Sequence, residues 1–447
     1  MQKLKTGDSF AIHGDICWSK DLKGLKTMAG AFLVCLEGKS AGVFSRLPEQ
    51  YASLPLFRFS GKLVVPGLVD LHVHAPQFAF RGLGMDLELL DWLNTHAFPE
   101  ETKYADPDYA RSAYDLFVKD LIRGPTTRTV VFATTHVPAT LALMDRLESS
   151  GLVSLVGKVN MDRNCPDSLR EHSAAVSLAA TGEWLESCGA GRYLNTGPIL
   201  TPRFIPSCSD ELMRGLGALR RKFKLPVQSH LSENLHEIEW VKELCPSSGG
   251  YGAAYRDFGL FGPAAGEEAA PTVMAHCVWS DGDEIALMTE RGVFAAHCPQ
   301  SNTNLSSGIA PVRRLLDAGV PAGLGSDIAG GAHSSIFRAM TDAIQVSKLR
   351  RVMLGINEEP LTLEEAFYLG TAGGGAFFGK AGMGFSGSFE AGYDFDALVI
   401  DDGHLSPPSM TIRDRLERVV YLCDDRHIEA KYVKGRCLGN KLGAMGY

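Results

Sequence analysis

From residue 63 onward, short apolar runs alternate with stretches in which apolar residues recur every three or four positions. The first pattern predicts buried strands and the second amphipathic helices. Their regular alternation predicts repeated βα units around a parallel sheet. Eight apolar runs can be counted, over 64–74, 126–134, 152–162, 192–203, 226–233, 271–278, 292–300 and 321–327. Helical patterns lie over 109–122, 138–147, 167–185, 210–223, 234–244, 281–290 and 312–318, and two more over 334–352 and 363–378. Asp106-Pro107 opens the first as an N-cap followed by a first-turn proline. Eight units favour an α/β fold of the (β/α)8 TIM-like barrel type over an open doubly wound sheet.

The two ends read differently. Residues 1–62 mix short apolar runs with turn residues and show no long helical period. Strand patterns return after Gly382, over 394–400, 418–423 and 427–433. The expected organisation is a barrel over 63–382 and a small sandwich-like accessory β domain built from 1–62 plus 383–447. At 447 residues the chain is long enough for both.

Composition narrows the function classes. Hydrophobic residues make up 45% and charged residues 21%, which excludes wholesale disorder. A net charge of -8 with no basic stretch argues against a nucleic-acid backbone binder. No run is long and apolar enough to span a membrane. Lys3, Lys5, Asp8 and Asp15 leave no signal-peptide core in the first fifteen residues. The 10 Cys contain no Cys-x-x-Cys pair, so free thiols and a cytoplasmic location are expected.

His72-Val73-His74 ends the first long run. Alternate strand residues share a face, so both imidazoles project to one side, roughly 6.6 Å apart along the backbone. That suits two ligands of one metal, although such a pair alone also arises by chance. Context strengthens it. His230 lies near the end of the fifth run, His276 near the end of the sixth, and Asp327 ends the eighth. In a βα barrel the C-terminal strand ends form the active-site face. A catalytic zinc needs three or more N/O ligands with a position left open. Glu233, three residues beyond His230, is placed to carry protons over such a metal. As a helix-start residue it is equally an acid that favours the helix dipole.

Longer strings surround these residues. They are Pro66-Gly67-Leu68-Val69-Asp70-Leu71-His72-Val73-His74-Ala75-Pro76-Gln77, Leu89-Leu90-Asp91-Trp92-Leu93 with Phe98-Pro99, and Gly157-Lys158-Val159-Asn160-Met161-Asp162. Further along come Pro202-Arg203-Phe204 with Ser207-Cys208-Ser209, and Ser229-His230-Leu231-Ser232-Glu233-Asn234. His297-Cys298-Pro299 with Ser301-Asn302, and Gly325-Ser326-Asp327-Ile328-Ala329-Gly330-Gly331, complete the set, spanning roughly 64 to 380. Together these strings resemble the amidohydrolase superfamily, in its mononuclear deaminase branch, and within that branch the guanine deaminases.

The resemblance implies a metal-dependent hydrolase in which one zinc ion is held by His72, His74, His230 and Asp327. Binuclear relatives carry a bridging Lys on the fourth strand, and the run over 192–203 has none. Iron would suit the same donor types. Glu233, His276 and Asp327 are the implied catalytic residues. Gln77, Arg203 and Phe204 are the implied substrate contacts. The implied reaction is deamination of guanine to xanthine by a zinc-activated hydroxide, in a cytoplasmic homodimer. Two other readings stay open on the residues alone. One is a deaminase of cytosine, a triazine or a modified adenosine. The other is a non-catalytic binding protein on the same fold. His96, His136, His236, His297, Cys298 and His333 are further polar residues near the same strand ends.

Overall fold

The computed structural model describes residues 7–189, 191–263, 270–407 and 409–440. The outermost residues of the expected accessory domain, 1–6 and 441–447, lie outside the described residues.

Two four-stranded parallel sheets form the centre. The first contains Leu68–His74, Thr126–Phe132, Val153–Gly157 and Thr196–Pro198 in that order. The second contains Val227–Leu231, Thr272–His276, Phe294–His297 and Ala322–Leu324. Each predicted apolar run contains one of these strands. Apart from Pro198, every residue in the eight is buried. Burial on both faces is why they read as continuous apolar runs without alternation. Backbone hydrogen bonds also link the two sheets at both margins. Gln228 N donates to Leu200 O at 2.9 Å, and Asp327 N donates to His72 O at 2.8 Å. Helices follow the strands, from Pro107–Arg123 to Val312–Asp317 and Ile336–Leu354.

The end segments meet in one seven-stranded sheet. Its order is Arg436–Asn440, Ile428–Val433, Ala397–Ile400, Leu56–Pro66, Phe10–Ser19, Leu25–Leu36 and Lys39–Phe44. Leu56–Pro66 pairs antiparallel with Ala397–Ile400, so the first and last parts of the chain are neighbours at its middle. Phe10, Ile12, Ile16, Phe395 and Tyr432 belong to a separate apolar core. Two buried basic side chains tie this sheet to the parallel strands and their helices. Arg128, on the second parallel strand, donates to Asp396 at 2.6 Å and Asp394 at 2.7 Å. Lys431 Nζ donates to the carbonyls of Leu121, Ile122 and Gly124, at the end of helix Pro107–Arg123.

Three differences from the pattern reading have a clear physical reason. The run over 64–74 is broken at Gly67 between two strands. A Cβ there would sit 2.3 Å from the Thr127 side chain, so only glycine allows the close approach. Residues 418–423, read as a strand, fall mostly in the helix Ile412–Leu422. Thr411 caps it, and Leu416, Val419 and Val420 bury one face at helical spacing. The paired valines imitated a strand, but the 3.6-residue period decides. The helix expected from residue 167 begins only at Ala174, where Ser173 accepts from Val176 N.

Candidate active site

His72 and His74 end the strand Leu68–His74, and His230 lies one residue before the end of Val227–Leu231. His276 ends Thr272–His276, and Asp327 follows Ala322–Leu324. All five side chains are buried. Parallel pairing in register brings the strand ends to one face. The donor atoms of His72, His74 and His230 lie within 4.8 Å of one another, as do those of His72, His276 and Asp327. His74 Nε2 is 3.2 Å from His230 Nε2. His72 Nε2 is 3.2 Å from Asp327 Oδ1 but out of hydrogen-bond alignment, leaving it a buried nitrogen without a hydrogen-bond partner.

Neighbouring groups set the tautomers. His230 Nδ1–H donates to Arg203 O at 2.6 Å, which leaves the lone pair on Nε2. His276 Nδ1–H donates to Asn302 Oδ1 at 2.9 Å. Burial lowers the pKa of His74 and His230 well below the imidazole norm, and it lowers that of His72. Burial thus favours the neutral form of these rings, the form that ligates a metal. Burial pushes Asp327 up, but His72, His276 and His74 outweigh it and hold the carboxylate well below its usual range. Neutral imidazole nitrogens around an ionised carboxylate are the donor types that zinc takes. The orphaned His72 nitrogen gives such an ion a further place to bind. The residues present fit the group.

Glu233 stands beside this cluster. Its Oε2 is 3.4 Å from His276 Nε2, and its Oε1 accepts from Ser307 Oγ at 3.2 Å. Burial pushes its carboxyl up to about 7. The same carboxylate works against burial at His276, whose pKa is raised above the usual value by Glu233 and Asp327. With Nδ1 committed to Asn302, the proton gained sits on Nε2, facing both acids.

One cavity of about 180 Å³, open to solvent, is lined by His74, His230, Glu233, His276 and Asp327. Gln77, Arg203 and Phe204 line it too, together with apolar residues such as Leu89, Leu93 and Trp240. All nine residues expected at the site therefore share it except His72, which lies behind among the ligand atoms. Of the lesser candidates, His236 lines the mouth and is exposed. His96 stacks on Phe80, and His136 precedes helix Val137–Ser150. His333 is exposed. His297 and Cys298 are buried outside the lining.

Several residues with no role assigned from sequence hold the site. Asp70 accepts from His72 N, Ser326 N and Ser326 Oγ, tying the first strand to the eighth at their ligand-bearing ends. Asn302 orients His276. Glu237 accepts from the backbone N–H of Glu233 at 3.0 Å and fixes the turn that presents it. Glu101 pairs with Arg203 at 2.6 Å. Asp70, Asn302 and Glu237 stand within or close to recognisable strings; Glu101 had no such signal beyond lying two residues after Phe98-Pro99.

The Amidohydrolase family model matches residues 63–438. Guanine deaminase of Dictyostelium discoideum is 40% identical over 379 residues, covering 84% of this chain and 82% of that protein. A guanine deaminase from C. acetobutylicum, solved with guanine in its active site, superposes with a TM-score of 0.91. That pair shares 46% identity and covers 96% of this chain and 100% of the other. The E. coli guanine deaminase structure gives a TM-score of 0.85 at 30% identity, over 97% of this chain and 100% of that one. Matched in sequence over most of its length and in fold over nearly all of it, the chain belongs to the amidohydrolase family, in its guanine deaminase branch.

Proposed function

We infer that this protein hydrolyses guanine to xanthine and ammonia. The observation that carries this is a single cavity in which the His/Asp ligand cluster and Glu233 meet the Gln77–Arg203 pair, in a chain 46% identical to a guanine deaminase solved with guanine bound. A zinc ion held by His72, His74, His230 and Asp327 would supply the Lewis acidity that makes water a nucleophile at neutral pH.

The remaining chemistry belongs to the chain. Asp327, held ionised, accepts the proton that the attacking water gives up. His276 hydrogen-bonds the attacking oxygen through Nε2 and orients it. Glu233 has a carboxyl that holds a proton near neutrality. It protonates the ring nitrogen beside the reacting carbon, then takes the proton of the newly added hydroxyl as the carbonyl forms and passes it to the departing amine, and the proton held by Asp327 restores it. The new C–O bond forms, the C–N bond breaks, and ammonia leaves. Arg203 donates to the guanine carbonyl oxygen, Gln77 pairs with the purine edge, and Phe204 stacks on the ring. A site built on hydrogen bonds rejects purines that leave those groups unpaired.

In the same reading the two parallel sheets close as a (β/α)8 barrel over 63–382, with a sandwich-like accessory domain from 1–62 plus 383–447. The resemblance also carries the expectation of a homodimer, which sedimentation tests. The activity is tested by following guanine to xanthine in the ultraviolet, with and without a chelator, beside cytosine and a triazine. Guanine unchanged while another amine releases ammonia would reject the substrate.

A further inference from the structure

Glu101 lies on the short helix Phe98–Thr102, downstream of the segment that contributes Leu89, Trp92 and Leu93 to the cavity wall. Its side chain is 4% exposed, yet it does not itself line the cavity. Every contact it makes with the site passes through two residues that do. Oε1 accepts from Gln77 Nε2 at 2.8 Å and from an Arg203 terminal nitrogen at 3.1 Å, and Oε2 accepts from the other at 2.6 Å.

Two consequences follow from the chemistry. Gln77 has one orientation available. Its Oε1 accepts from Ala329 N at 3.1 Å, and a flipped amide would set oxygen against the Glu101 carboxylate and N–H against N–H. One Nε2 hydrogen and one Oε1 lone pair stay free. Arg203 is pinned as a bidentate fork, packed over the Phe98 ring at 5.1 Å. Each terminal nitrogen keeps one unused N–H. A buried guanidinium without this acid would lack a counter-charge and be free to reorient.

We propose that Glu101 is the positioning residue of guanine recognition, locking the Gln77 amide and the Arg203 guanidinium in the arrangement that leaves their free donors and acceptor for the purine edge. This rests on the guanine reading above. A merely structural ion pair would affect every substrate alike, whereas a positioning residue affects those that Arg203 reads.

The experiment measures kcat/KM for guanine and for 2-aminopurine, which carries the same amine but no carbonyl oxygen. Wild type, Glu101→Gln, Arg203→Ala and the double variant are compared, with melting temperature and metal content on each preparation. Glu101→Gln is expected to lose about 10- to 100-fold on guanine and less than about 3-fold on 2-aminopurine. The double variant is expected to lose clearly less on guanine than the product of the two single losses, because Glu101 acts in part through Arg203. Equal losses on both purines, or additive losses in the cycle, overturn the assignment. The cycle on guanine decides alone if 2-aminopurine is not turned over. Glu101→Asp, which keeps the charge but shortens the reach, takes the place of Glu101→Gln if that variant does not fold. A wild type that releases no ammonia from guanine overturns the guanine reading and this assignment with it. An active wild type with additive losses overturns only the role of Glu101.

Discussion

Replacing Glu233 by Gln isolates proton transfer from everything else at the site. The carboxylate is 6% exposed. Its backbone N–H is held by Glu237, a contact the substitution leaves intact. The amide oxygen can face the protonated His276 nitrogen while its NH2 donates to Ser307 Oγ, so both side-chain contacts can be remade. The amide also carries none of the burial penalty that pushes the carboxyl up to about 7. Folding stability should therefore be unchanged or improved, as expected where a functional group is held against its own preference. What cannot be remade is a group that gains and returns a proton. General acid–base catalysis contributes about 10²- to 10⁴-fold, or about 2.7–5.4 kcal/mol of barrier. We expect Glu233→Gln to lose that much in kcat while retaining metal. The assay is ammonia release from saturating guanine, paired with elemental analysis and a melting curve on the same sample. A kcat within tenfold of wild type, at full metal content, would refute the role given to Glu233.

Asn302→Ala should lower kcat about 10- to 100-fold with little change in KM or metal content, because it frees the His276 ring without removing a proposed ligand; loss of metal instead would place His276 among the ligands. Purified protein should carry about one zinc per chain, and stripping it should lower the melting temperature as well as activity, since bound ligand stabilises the folded state; two metals per chain by elemental analysis would contradict the single-ion reading. Lys431→Met should cost stability, about 2–4 kcal/mol, by leaving the buried carbonyls of Leu121 and Gly124 unmatched at the end of helix Pro107–Arg123. Its turnover per folded molecule should match wild type, and an inactive but equally stable variant would defeat the argument.

The amino-acid pattern alone determined where the parallel strands lie and which polar residues end them. Strands buried on both faces are long apolar runs, and a charged or imidazole group after such a run stands out, as His72, His74, His230, His276 and Asp327 do. Helix Ile412–Leu422 escaped because two adjacent valines satisfy a strand pattern as well as a helical one until the packing partner is known. The supporting residues lay further out of reach. Burial requires that Arg203 find a counter-charge, but the chain offers 52 acids. Only the packing of helix Phe98–Thr102 against the fourth strand's end selects Glu101, 102 positions away. Likewise Asp70 meets Ser326 across 256 residues because the first and eighth strands end side by side. Such pairings are set by tertiary contact, not by neighbours along the chain. A local pattern can mark a ligand, but the hydrogen bonds that orient it exist only once distant elements have packed.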